Sequence, residues 1–167
     1  MARIRIYVRQ SPRAAAETVA DKSGNPIALP FLRLFALIRI GLQARRLADC
    51  IIDTGAPLTV FPRQAWNRFA SEIEWLTLPP AQVKDSWVTN LRGRTGGTSE
   101  CRIGRIFVEA FDVEDGLRFL PGSSVLAQFE EKETAEDRII VGLYGGILEG
   151  RRLILEPDLR QAWIEEC

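Results

Sequence analysis

No histidine occurs in this 167-residue chain, and that absence removes more chemistry than any other feature of its composition. Without imidazole there is no Ser-His or Cys-His nucleophile pair, so acid and base work falls to carboxylates, Lys, Tyr or Cys. Net charge is lacking too. Lys plus Arg and Asp plus Glu each number 22, so no overall field draws in nucleic acid or an anionic membrane. Cysteine is scarce: Cys50, Cys101 and Cys167 are odd in number and widely spaced. With no Cys-x-x-Cys and no histidine to complete a usual zinc site, they read as reduced structural thiols. Long apolar runs are missing as well. The stretch "PFLRLFALIRIGL" is short and interrupted by Arg33 and Arg39, which argues against a membrane span. The beginning, "MARIRIYVRQSPR", lacks the apolar stretch of a signal peptide, so the expected location is cytoplasmic.

What is present suits a soluble domain with a true core. Hydrophobic residues make up 46% and charged residues 26%, and this length buries enough surface to fold without disulfides or metals. "RIRIYV" alternates Ile4, Ile6 and Val8 against Arg3, Arg5 and Tyr7, the pattern of a half-buried strand. "QSPRAAAETVADKSGNP" has the weakest pattern in the chain and reads as a linker, so residues 1–30 form a strand-and-linker arm and 31–167 the main domain. From Phe31 onward short strand signals recur: "LFALIRI", "LADCII", "LTVF", "SWVTNL", "TSECRI", "RIFVEAF", "SVLAQF", "RIIVG" and "RRLILE". Such spacing predicts an antiparallel sandwich or closed barrel. In "PRQAWNRFASEIEW", Pro62 suits a first helical position, and Trp66, Phe69, Ala70 and Ile73 recur at helical spacing; an amphipathic helix is predicted there, with Trp66 and Phe69 in the core.

One short stretch demands a chemical reading. In "CIIDTGAPLTVF" an apolar run ends on Asp53, breaks at Gly55 and Pro57, and resumes at Leu58. A carboxylate there is costly to desolvate unless partners or chemistry hold it, and the Gly and Pro place Asp53 and Thr54 on a tight turn between two buried strands. The turn presents the carboxylate.

Apolar-apolar-Asp-Thr-Gly-Ala resembles the active-site loop of aspartic proteases, and later segments agree in order. "VTNLRGRTGGTSECRIGRIFVEAF" reads as a hairpin with Gly93, Gly96 and Gly97 at its tip, where retropepsin-like proteases carry a flap. "IIVGLYGGILEGRRLILE" resembles their second signature, with Ile140, Val141 and Gly142 as the apolar-Gly motif, then a short helix and a returning strand. A single Asp-Thr-Gly points to the single-domain branch, in which two identical chains each give one Asp. The resemblance implies a closed, mostly antiparallel β-barrel with one or two short helices, and a homodimeric aspartic endopeptidase that needs no cofactor or metal. Its partners would be a peptide or protein substrate and a second copy, with no nucleic acid and no membrane. Asp53 would be catalytic, Thr54, Gly55 and Ala56 would form the active-site loop, and Leu58, Val60, Arg92, Gly93, Gly96 and Gly97 would face substrate. Thr54 would lock the paired loops through its hydroxyl, and Trp87 near the flap is a further candidate for touching substrate. Two carboxylates at about 4 Å repel by about 4 kcal/mol at an effective dielectric of about 20, so such a pair shares one proton and titrates as a unit.

The chain departs from the retroviral pattern at two positions together. Where such members place an Asp after the loop and an Arg after apolar-Gly, forming a salt bridge, this sequence has Pro57 and Leu143, a coherent loss that leaves no orphan charge. The N-terminal segment and the ending "EPDLRQAWIEEC" also differ from a minimal retropepsin, whose termini build the dimer sheet. A non-catalytic peptide- or protein-binding module on the same fold is the competing reading, and a monomeric structural or regulatory β domain a third. "VGLYGGILEG" fails the Gly-x-G-x-x-Gly spacing of a nucleotide loop, and "LRGRTGGT" reads as a solvated hairpin tip before a phosphate cradle between Arg92 and Arg94. "EEKETAED" lacks the spacing of a calcium loop and reads as a solvated turn.

Overall fold

The computed structural model describes residues 2–10, 17–29, 32–43, 46–77, 88–89, 99–133, 138–156 and 160–167. The described residues hold thirteen strands: β1 Arg3–Gln10, β2 Glu17–Ala20, β3 Pro26–Leu29, β4 Leu32–Ile40, β5 Arg46–Ile52, β6 Thr59–Phe61, β7 Glu74–Trp75, β8 Val88–Thr89, β9 Ser99–Phe111, β10 Ser123–Glu130, β11 Ile139–Val141, β12 Arg151–Glu156 and β13 Gln161–Glu166.

Six of them close on themselves. The order runs β4, β5, β11, β6, β10, β9, and β9 returns to pair with β4 through Leu37↔Phe111 and Ile40↔Val108. Of the sandwich and the closed barrel that the strand spacing left open, the barrel implied by the family resemblance is present, antiparallel except where β11 lies parallel to β5 and β10 parallel to β6. Closure follows from period-two patterning: Ala36, Ile38 and Ile40 on β4 and Ile106, Val108 and Ala110 on β9 all point inward and are almost wholly buried. Aromatic rings fill one end. Phe61 stacks on Phe129 with centroids 5.2 Å apart, and Trp66 and Trp75 meet Phe129 edge-on.

Outside the barrel, β1 pairs with β4 at one end and with β13 at the other, and β13 pairs with β12. The alternation read in "RIRIYV" holds, with Ile4 and Ile6 buried in the main core. Its link to the barrel is specific: the Asp112 carboxylate accepts the Arg5 backbone N–H at 2.7 Å and those of Glu114 and Asp115 at 2.9 and 2.8 Å. Burial works against the charge of Asp112, but these three N–H donors and nearby Arg118 outweigh it and hold the carboxyl below its ordinary pKa.

Three expectations are corrected. Part of the presumed linker is a hairpin, β2 with β3, whose turn is fixed by Asp21: its side chain accepts the N–H groups of Ser23 and Asn25, both at 2.8 Å, and Gly24 takes the positive φ the turn requires. The helix from Pro62 is shorter than its periodicity predicts. An α turn, α1 Arg63–Trp66, passes into a 3-10 segment Asn67–Glu72 that is broken at Phe69, where φ is −126°. Phe69 is anchored in the core against Phe61, and the chain beyond Ile73 is claimed by pairing of Trp75 with Gly104, so tertiary contacts override the local pattern. After Gly142 a succession of turns replaces the predicted helix, because Gly145 and Gly150 both adopt positive φ.

Candidate active site

β5 delivers Cys50, Ile51 and Ile52 into the interior and then releases Asp53 to solvent. Cys50 is fully buried, its thiol donating to the Ala36 carbonyl at 3.2 Å, and burial pushes its pKa up; it is a packing group. The next residues turn tightly. Asp53 Oδ1 accepts the Gly55 N–H at 2.9 Å and the Asp53 carbonyl accepts the Ala56 N–H at 3.1 Å. Thr54 and Gly55 are exposed, Ala56 and Leu58 half-buried.

The position of this turn is set by β11, which lies between the two strands the turn connects. Ile140 and Val141 pair with Ile51 and Ile52 on one side, and Ile140 with Val60 on the other. The Val141 carbonyl accepts the Asp53 N–H at 3.0 Å, and the carbonyls of Ala56 and Pro57 accept from Leu143 and Tyr144 at 3.0 and 2.7 Å. Gly142 sits where the two segments touch, and a Cβ there would come within 2.4 Å of the Leu58 carbonyl. Thus Asp53, Thr54, Gly55, Ala56 and Leu58 are brought together with Ile140, Val141 and Gly142, segments about 90 residues apart in sequence. These bonds, Leu143 to Ala56 and Tyr144 to Pro57, hold the segment that contains Leu143 beside Pro57.

Several residues differ from the sequence reading. Val60 is 2% exposed and belongs to the barrel core, so it does not face substrate. Thr59 was not anticipated: it is buried, with its hydroxyl 3.4 Å from the Gly142 N–H. A hydroxyl inside the apolar run "LTVF" was the available signal. Leu143 and Tyr144 are also additions, large side chains 46% and 66% exposed beside the Asp53 turn. Arg92, Gly93, Gly96 and Gly97, and Trp87, lie outside the described residues; what is described is the antiparallel pairing of β8 with β9, Val88↔Glu100 and Thr89↔Ser99, on either side of residues 90–98. Among the described residues no group of three or more Cys, Asp or Glu is placed to hold a metal ion, and no helix is long and apolar enough to cross a membrane.

The arrangement has a counterpart among solved structures. A retropepsin-like aspartic protease from Rickettsia conorii superposes with a TM-score of 0.53 over 99% of this chain and 91% of that one, at 8% sequence identity. The fold is retropepsin-like. No protein-family model and no curated protein matches the sequence, so the likeness is one of overall fold. At this turn the Asp53 carboxylate is exposed, whereas the neighbouring Cys50 is inert by burial.

Proposed function

We propose that this chain is an aspartic endopeptidase whose site is completed when two copies bring their Asp53 carboxylates face to face. The observation that carries the reading is the placement of Asp53: solvent-facing on a tight turn whose main chain is fixed on both sides by the Val141–Tyr144 segment, within a retropepsin-like fold.

At about 4 Å two such carboxylates cannot both ionise without a repulsion of about 4 kcal/mol, so one proton is shared. The ionised member takes a proton from a water lying between them while the protonated member donates to the carbonyl oxygen of the scissile peptide. The water oxygen adds to the carbonyl carbon; as C–N then breaks, the carboxyl that took the water's proton gives it to the amine nitrogen and the other carboxylate takes back a hydroxyl proton of the adduct, restoring the singly protonated pair. Histidine and metal are not required. An extended peptide would lie across the turn as an added strand, contacted by Leu58 and covered by the segment that bears Arg92, Gly93, Gly96 and Gly97. Gly55 lets the substrate backbone approach closely.

Wild type and Asp53→Asn, incubated with a mixed peptide library between about pH 4 and 7 and read by mass spectrometry, test the reading. Cleavage present in the first and lost in the second supports it; identical products, or none from either at high protein concentration, overturn it.

A further inference from the structure

The first and last strands of the described residues pair with each other within the same subunit. β1 and β13 pair through Arg3↔Glu165, Ile4↔Ile164, Arg5↔Trp163 and Ile6↔Ala162, and the Ala2 and Glu166 main chains are hydrogen-bonded to each other. β12 then covers the other side of β13 and forms the outer edge of the sheet; among the described residues no strand pairs with that edge. The edge is six residues long, without Pro or Gly, and flanked by charge of both signs, "RRLILE". Free strand edges of this kind template pairing with another strand.

We infer that the outer edge of β12 pairs antiparallel with the same edge of a second copy, making one continuous sheet across the subunit boundary. The inference deepens the homodimeric reading of the Asp53 site and takes its functional meaning from it.

Symmetry narrows the register. In a twofold pair of identical strands, residues opposite one another must point to the same face and offer their main-chain groups the same way, so odd positions meet odd and even meet even. Centred on Leu153, the pairing would set Arg151 against Leu155 and Arg152 against Ile154. Centred on Ile154, it sets Arg152 opposite Glu156 of the second copy, twice by symmetry, Leu153 opposite Leu155 of the second copy, and Ile154 opposite itself. Only the second register matches charge with charge and apolar with apolar. Among the described residues neither Arg152 nor Glu156 has an ion pair of its own, and both are exposed.

The rows behind the edge agree. On the core side Ile4 and Ile164 lead to Leu153, and Ile6 and Ala162 lead to Leu155, which is left 47% exposed. In the paired sheet the first row runs on into the second row of the other copy, so the apolar strip no longer stops at solvent. On the opposite side Trp163 leads to Ile154, giving a central apolar row flanked by Glu165 beside Arg152. A contact of one short strand buries less than the roughly 1,200 Å² of a standard interface, so the dimer is expected to come apart on dilution.

Sedimentation of wild type, Arg152→Glu, Glu156→Arg and the double reversal over a roughly hundredfold concentration range tests the pairing. Each single reversal puts like charges opposite one another twice and is expected to weaken the dimer about tenfold, and the double reversal to restore it. Both substituted positions are on the surface, and circular dichroism verifies folding of each variant. A wild type that stays monomeric throughout, single variants that dimerise as well as wild type, or a double variant no better than the singles overturns the inference. A dimer that follows the charge pattern but shows no Asp53-dependent cleavage keeps this inference and removes the protease reading. Asp53-dependent cleavage by an assembly indifferent to the reversals does the opposite.

Discussion

A Cβ placed on Gly142 would stand 2.4 Å from both the carbonyl carbon and the carbonyl oxygen of Leu58. The contact is main chain against main chain, so no rotamer change relieves it. Gly142→Ala is expected to destabilise the protein by about 1–3 kcal/mol and to displace the Asp53 turn. Urea denaturation measures the first, and loss of any Asp53-dependent cleavage in the folded fraction measures the second.

Asp53→Asn separates chemistry from stability. Asp53 is exposed and accepts one local N–H bond, which the Asn side-chain oxygen accepts equally well. Stability is expected to change by less than about 0.5 kcal/mol, while peptide cleavage falls by at least about a hundredfold. A large drop in melting temperature with cleavage retained would show the carboxylate to be structural.

The Asp112 carboxylate makes stability depend on acid. Its folded pKa lies below the ordinary Asp value, so its contribution is present above that ordinary value and is lost as pH falls through the folded one. Asp112→Ala, which leaves three N–H donors without their acceptor, is expected to cost about 1–3 kcal/mol at neutral pH and to show a smaller further loss on acidification to about pH 3 than wild type does. Chemical denaturation at the two pH values reads both effects.

Phe129 is the ring shared by the stacked and edge-on contacts at the barrel end, and it is fully buried. Phe129→Ala is expected to cost about 3–5 kcal/mol, visible as a lowered denaturation midpoint.

Thiol reactivity should divide the three cysteines. Cys50 and Cys101 are buried and Cys167 is exposed, and burial raises the Cys50 pKa further from the reactive thiolate. Iodoacetamide followed by mass spectrometry is expected to label Cys167 alone in the folded protein and all three in denaturant.

The strands that could be read from sequence are those whose burial follows from their own alternation, such as "RIRIYV" and "LFALIRI", and the Asp53 turn was marked by Gly55 and Pro57 between apolar runs. What escaped was set by distant partners. The two-residue β7 exists because Trp75 pairs with Gly104, and β13 because Ala162 and Ile164 lie over Ile4 and Ile6; neither segment carries a pattern long enough to announce itself. The helical periodicity from Trp66 to Ile73 predicted the buried residues correctly and the backbone incorrectly, since a broken 3-10 path presents Phe69 to the core as well as a continuous helix would. Thr59, Leu143 and Tyr144 join the site only through the insertion of β11 between β5 and β6, a relation that no local pattern encodes.

That insertion also fixes the order in which the Asp53 turn is completed. β5 and β6 leave a strand-wide gap between them that is filled by residues 139–141, the parallel partner of one and the antiparallel partner of the other. A chain still emerging from the ribosome therefore carries Asp53 on an unbraced turn until most of the sequence has been synthesised, and pairing across so large a separation is intrinsically slow. The carboxylate is translated early and positioned late.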